Sequence, residues 1–200
     1  MLQSDTYYSI AGESRGFYRE KASKFIAFAY QVSAEELVKE CLTLLRKEYF
    51  DANHHCYAYR IGYPVCLYRT HDDGEPSGSA GKPIYGQILS KDLSDVLVVV
   101  IRYFGGTKLG IPGLIHAYRT AAKDALDQAT IITRTISDSF HISFPYVQLN
   151  AVMQILKKEG AILKAQSFDQ TCDIHFSIRK SKSEVVRNKL SKLINISIYQ

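Results

Sequence analysis

The sequence predicts an α+β chain of two domains, residues 1–130 and residues 131–200. Short apolar runs of strand length alternate with stretches of helical periodicity along the chain. Near residues 130–137 the order of the elements changes. The charge changes at the same place: residues 1–130 carry fifteen Lys and Arg against fifteen Asp and Glu, residues 131–200 ten against five, so the whole formal +5 lies in the last third. With 46% hydrophobic residues the chain has the material for genuine cores.

In the first domain, residues 25–32 have the aromatic and β-branched content of a strand. Ser33, with Glu36 three residues later, forms a capping box for a helix that carries Leu37, Cys41, Leu44 and Leu45 at helical spacing and ends near Tyr49. Residues 56–61 and 65–69, split by Gly62-Tyr63-Pro64, read as a hairpin. A glycine-dense loop follows, and Gly81-Lys82-Pro83 starts a helix to about Lys91, since proline fits a first turn where its missing N–H is not needed. Residues 96–101 are continuously apolar, as a strand buried on both faces requires. A second glycine-dense loop then leads to an amphipathic helix from Gly113 to Ala129 with Leu114, Tyr118, Ala121 or Ala122, and Leu126 inward.

In the second domain, strand 139–144 is closed by Pro145, and a helix from Val147 to Lys158 ends at Gly160. Strands 161–167 and 172–178 flank a turn at 168–171, Ser183 caps a last helix, and residues 194–198 make a final strand. The order β-α-β-β-α-β is that of a ferredoxin-like domain.

Several function classes are disfavoured by what the chain contains. The first five residues lack the basic and apolar stretches of an export signal, and no run approaches eighteen apolar residues, so the chain reads as an unexported cytoplasmic protein with no membrane partner. Cys41, Cys56, Cys66 and Cys172 have no paired spacing and read as reduced thiols. His54, His55, Cys56 and Cys66 lack the spacing of a zinc site, and neither metal nor cofactor is expected. His54 and Cys56, two apart in a strand, face the same side, but no third residue orients them as a catalytic pair. The basic surplus of the last third favours an anionic partner, nucleic acid being the commonest.

The two loops carry the candidate site. Asp72, Asp73, Glu75, Ser77, Gly78 and Lys82 come from the first, and Arg102, Tyr103, Gly105, Gly106, Lys108 and Gly110 from the second. The carboxylates suit a cation, acid–base work or a cationic partner, and their spacing does not decide among these. Asp73 and Ser77 also suit capping of turns and of the helix at Gly81. The second loop lies between a buried strand and a helix, where backbone N–H groups hold anions, and Arg102 and Lys108 add charge for phosphate or carboxylate. It matches neither the P-loop nor GxGxxG. Phe104 is expected to fill core beside its strand.

The run Asp72-Asp73-Gly74-Glu75-Pro76-Ser77-Gly78-Ser79-Ala80-Gly81-Lys82-Pro83, residues 98–110 and residues 52–59 together resemble the YigZ/IMPACT family. Where that family commonly reads Gly-Ala-Gly-Gly-Leu-Val-Arg-Ala-Tyr, this chain has Gly110-Ile111-Pro112-Gly113-Leu114-Ile115-His116-Ala117-Tyr118, which removes a backbone donor and a permanent cation. The resemblance implies a first domain similar to the second domain of ribosomal protein S5, followed by the ferredoxin-like domain, a pair like the last domains of elongation factor G, which touch the ribosome. It further implies a link to translation, since eukaryotic relatives regulate it by binding the activator of a stress kinase. The leading expectation is therefore a binding protein near translation, with RNA or a ribosomal component as partner. The alternatives are an enzyme acting on a small phosphorylated or carboxylated ligand between the loops, and a module for a regulatory protein partner.

Overall fold

The computed structural model describes residues 5–199. The chain divides into two compact units, residues 7–134 and residues 135–199, the second joined by Asp5 and Thr6. Strands β1 (Thr6–Ile10) and β7 (Ile131–Thr135) pair as a separate two-stranded sheet.

The larger unit is built on β2 (Ser14–Glu20), β3 (Ser23–Gln31), β4 (His54–Ile61), β5 (Leu67–His71) and β6 (Val96–Tyr103), all antiparallel in the order β2-β3-β6-β4-β5. The apolar run of β6 occupies the centre. Val96, Val98 and Val100 face a core shared with α2 (Gly81–Ser90) and α3 (Gly110–Asp127), while Leu97, Val99 and Ile101 face the opposite core with α1 (Glu35–Glu48). Two faces must be covered, so every residue of the run is apolar. Polar β2 was not expected from its sequence; at the sheet edge it needs only one apolar face, and Gly16 lets it approach Ala125 of α3.

Three helix starts differ from expectation. Ser33 does not cap α1, which begins at Glu35 after Ala34 without a side-chain cap. Helix α3 starts at Gly110, not Gly113, because Pro112 sits in the first turn, where no intrahelical donor is lost. Ser183 lies inside α5 (Lys180–Leu190), its hydroxyl donating to Asp138 at 2.6 Å. The carboxylate of Asp5 meets that helix instead, accepting from the backbone N–H and hydroxyl of Ser181.

The smaller unit runs β8 (Ser137–Pro145), a 3-10 turn at Tyr146–Gln148, α4 (Leu149–Glu159), β9 (Ile162–Phe168), β10 (Thr171–Arg179), α5 and β11 (Ser197–Tyr199). Its four strands are antiparallel in the order β11-β8-β10-β9. Helices α4 and α5 cover one face, burying Val152, Leu156, Val186 and Leu190 on Phe140, Ile142, Phe144, Cys172, Ile174 and Phe176. Gly160 ends α4 in the left-handed region at φ 76°, as a glycine C-cap should. Among the described residues no helix is long and apolar enough to cross a membrane.

Candidate functional site: a cleft between two glycine-dense loops

The first loop leaves β5 at His71 and organises itself around Asp72. One carboxylate oxygen accepts the N–H of Gly78 at 2.8 Å; the other accepts Ala80 at 3.0 Å and Gly81 at 2.8 Å. Asp72 therefore does the capping at the start of α2 that sequence reasoning gave to Asp73 and Ser77. Burial pushes its carboxyl up, but the three N–H donors outweigh burial and hold it below the usual range. Asp73, at φ 43°, ties the loop to β4: its carboxylate accepts the His55 N–H at 2.7 Å and pairs with Arg46 at 3.1 Å, and its carbonyl accepts Nδ1–H of His54 at 2.8 Å.

Glu75 is buried behind this turn. Its Oε1 receives Arg102 Nη1 at 2.6 Å and the Tyr118 hydroxyl at 2.7 Å, and His54 Nε2 lies 3.8 Å away. The Arg102 guanidinium, delivered by the end of β6, lies 5.5 Å from the ring centroids of both Phe25 and Phe104. Its Nη2 is 3.5 Å from the Ser23 hydroxyl, and its buried Nε has no hydrogen-bond partner among the described residues. Below Glu75 the Cys56 thiol donates to the Asp72 carbonyl at 3.0 Å and lies 3.3 Å from the Tyr118 oxygen.

Glu75 and Arg102 border a cleft of about 400 Å³ whose wall also includes His54, Phe104, Lys108 and Gly110. Of the residues singled out from the sequence, Glu75, Arg102, Lys108 and Gly110 meet there. Asp72 and Asp73 are engaged in the loop itself, and Ser77 is exposed on its surface. Gly78 and Lys82 border a different groove, between α2 and α3, with Arg119. Tyr103 points to Asp51, bonding it at 2.7 Å; that bond, then burial, pushes its phenol up to about 12. Gly105 passes so close to the neighbouring turn that a Cβ would lie 2.1 Å from the Ala22 carbonyl carbon, while Gly106 adopts φ 83°. Phe104 is 45% exposed and forms cleft wall, a correction to its expected place in the core: its backbone N–H is held by Asn53, which turns the ring outward past the end of the strand.

Tyr118 and His54 join the site without having been chosen from the sequence. Tyr118 read as part of the inward stripe of α3, but a buried phenol needs a hydrogen-bond partner, and that requirement was the available signal. The electrostatics favour holding over reacting. Burial drives the Cys56 thiol and the Tyr118 phenol far above their ordinary values, so both stay protonated at neutral pH. Glu75 is neutralised by Arg102. Lys108, at the rim, has no salt-bridge partner among the described residues, which leaves the cleft with one uncompensated cation beside an aromatic face. Among the described residues no group of three His, Cys, Asp or Glu side chains is placed to hold a metal ion.

Comparison with known proteins adds what geometry does not carry. A family model described as the Impact N-terminal domain matches residues 21–126. The chain is 31% identical over 173 residues to IMPACT family member YvyE of Bacillus subtilis, covering 86% of this chain and 80% of that protein. It is 34% identical over 148 residues to IMPACT family member YigZ of Escherichia coli, covering 72% of each. A crystal structure described as that of a hypothetical protein matches with a TM-score of 0.75 and 26% identity over 98% of this chain and 97% of the other.

Proposed function

We propose for this chain, which belongs to the IMPACT family, a role as a cytoplasmic binding protein associated with translation that contacts RNA or a ribosomal component. The observation that carries the reading is the pairing, in one cleft, of an unneutralised Lys108 with the Arg102 guanidinium and the exposed Phe104 ring. Such a wall suits a phosphate with a base beside it. The carboxylates that catalysis would need are occupied: Asp72 as a cap, Asp73 as a tie to β4, Glu75 as the counter-charge of Arg102.

In the same reading the five-stranded unit is similar to the second domain of ribosomal protein S5. The βαββαβ unit, whose strand order is 4-1-3-2 counted from β8, is ferredoxin-like. The first attribution, like the link to translation, rests on the motif resemblance and the second on the order of the elements, and the ten basic residues of the C-terminal part supply attraction to a polyanion. The test is titration of a structured RNA at several salt concentrations. The expected result is an affinity that falls linearly on a log–log plot with salt and drops in Lys108→Ala; absent or salt-independent binding would overturn the proposal.

The second reading, an enzyme or receptor for a small phosphorylated or carboxylated ligand, is favoured by one observation. The cleft's 400 Å³ falls within the range of small-molecule pockets. A thermal-shift screen of nucleotides and phosphate esters separates the two, since a true ligand raises the melting temperature by mass action and RNA-only binding leaves the screen flat. A regulatory protein partner would instead survive nuclease treatment in a pull-down.

A further inference from the structure

The open face of the C-terminal sheet carries a row of rings that the candidate cleft does not use. Pairing register sets His175 of β10 directly opposite His141 of β8, and Tyr199 of β11 opposite His141 on the other side. The rings are stacked: His141 and His175 have centroids 4.2 Å apart at 6° between planes, His141 and Tyr199 5.3 Å apart at 22°. All three lie on the side away from the helices, because Ile142, Ile174 and Ile198, their neighbours in sequence, point into the core. His175 and Tyr199 are exposed. Asp173 accepts Nε2–H of His141 at 2.9 Å and fixes the orientation of the central ring.

The row stops at the outer strand. Opposite His175, β9 offers Ala165, whose methyl is too short to continue the stack. Immediately beyond, the register shifts, and Lys164 is the extra residue of the bulge. Its side chain borders a hollow of about 400 Å³ together with Ser139, His141, His175 and Tyr199. Stacked rings, open space over Ala165 and a flanking ammonium without a salt-bridge partner among the described residues form an arrangement complementary to a planar, uncharged ring joined to an anion. A nucleobase with its phosphate has that chemistry. A duplex does not present it, because its bases are stacked on each other and hidden.

We propose that this face binds single-stranded RNA, with one base extending the ring row over Ala165 and its phosphate held by Lys164. This deepens the RNA reading given above and rests on it, but it assigns the single-strand contact to the C-terminal sheet and not to the Lys108 cleft. Asp173 acts as a positioning residue through His141.

The test uses the full chain and fluorescence anisotropy with a labelled ten-nucleotide oligouridylate, the same-length oligoadenylate and a duplex RNA, on the parent, His175→Ala, His175→Phe, Lys164→Ala and Lys108→Ala. Single strands should bind better than the duplex. His175→Ala should weaken single-strand binding by about tenfold, and His175→Phe, which keeps a stacking face, should restore most of it. Lys164→Ala should weaken binding and flatten its salt dependence by about one phosphate contact. Unchanged single-strand affinity in both His175→Ala and Lys164→Ala would overturn the inference; if Lys108→Ala then lost binding, the cleft reading would stand alone. Equal affinity for duplex and single strand would also overturn it, and absence of binding to every RNA would remove both. Because His175 is exposed, its variants should keep the parent's circular dichroism spectrum, and a His175→Phe that binds no better than His175→Ala counts against stacking.

Discussion

Replacing Glu75 by Gln removes the only charge on one side of the most buried ion pair in the cleft while keeping the side chain's size. Glu75 and Arg102 side chains are 4% and 6% exposed, and their contact is 2.6 Å. The variant leaves a guanidinium in that environment with no counter-charge, and breaking a buried pair from one side costs about 3–5 kcal/mol. Gln still offers Tyr118 an acceptor, so the lower end applies, about 3 kcal/mol. For a unit spanning residues 7–134 that corresponds to a melting temperature lower by about 10 °C. Urea unfolding at pH 7 measures it, with hydrogen exchange of β4 and β6 assigning the transition to this unit and not to the C-terminal sheet. Arg102→Met should cost a similar amount, since it leaves the buried Glu75 carboxylate without its counter-charge, and in its background Glu75→Gln should cost less than about 1 kcal/mol, giving a coupling above about 2 kcal/mol. A Glu75→Gln variant within about 1 kcal/mol of the parent, with no coupling to Arg102, would refute the reading of this pair as the anchor of the cleft.

Two further outcomes are expected from the same geometry. Asp72 is held below its ordinary value in the folded chain, so its stabilisation is complete above the unfolded carboxyl's pKa of about 4 and is lost as pH falls through the lower folded value. Asp72→Asn should therefore cost about 1–2 kcal/mol at pH 7, and the gap to the parent should shrink below pH ~4 in acid-unfolding curves; a gap independent of pH would contradict it. In the native state a maleimide should label Cys41 and Cys66, which are partly accessible, and leave Cys56 and Cys172, both fully buried, unmodified until urea is added; prompt labelling of Cys56 would contradict its protonated, enclosed state.

Much of the secondary structure was legible because its signals are local. The run at residues 96–101 could only be a strand covered on both sides, and Gly160 could only end a helix. Helix starts were read less well. A serine followed three residues later by glutamate satisfies the pattern at Ser33 whether or not the backbone turns there, and at α5 the cap came from Asp5, far away in sequence. Edge strand β2 escaped notice because a strand with one buried face needs no continuous apolar run.

The candidate site shows the same division more sharply. Composition and spacing by themselves singled out two glycine-dense loops, and determined that each follows a strand and leads to a helix and that the basic surplus lies beyond residue 130. Residue type sets the chemistry a side chain can offer, and that is carried by every residue wherever it lies. Which carboxylate caps a helix, which neutralises Arg102, and whether Lys108 is left uncompensated depend on distances across the sheet, and only tertiary structure decides them. The ring row of His175, His141 and Tyr199 is the extreme case: three residues dispersed over fifty-nine positions become neighbours solely because strands β10, β8 and β11 are paired in that register.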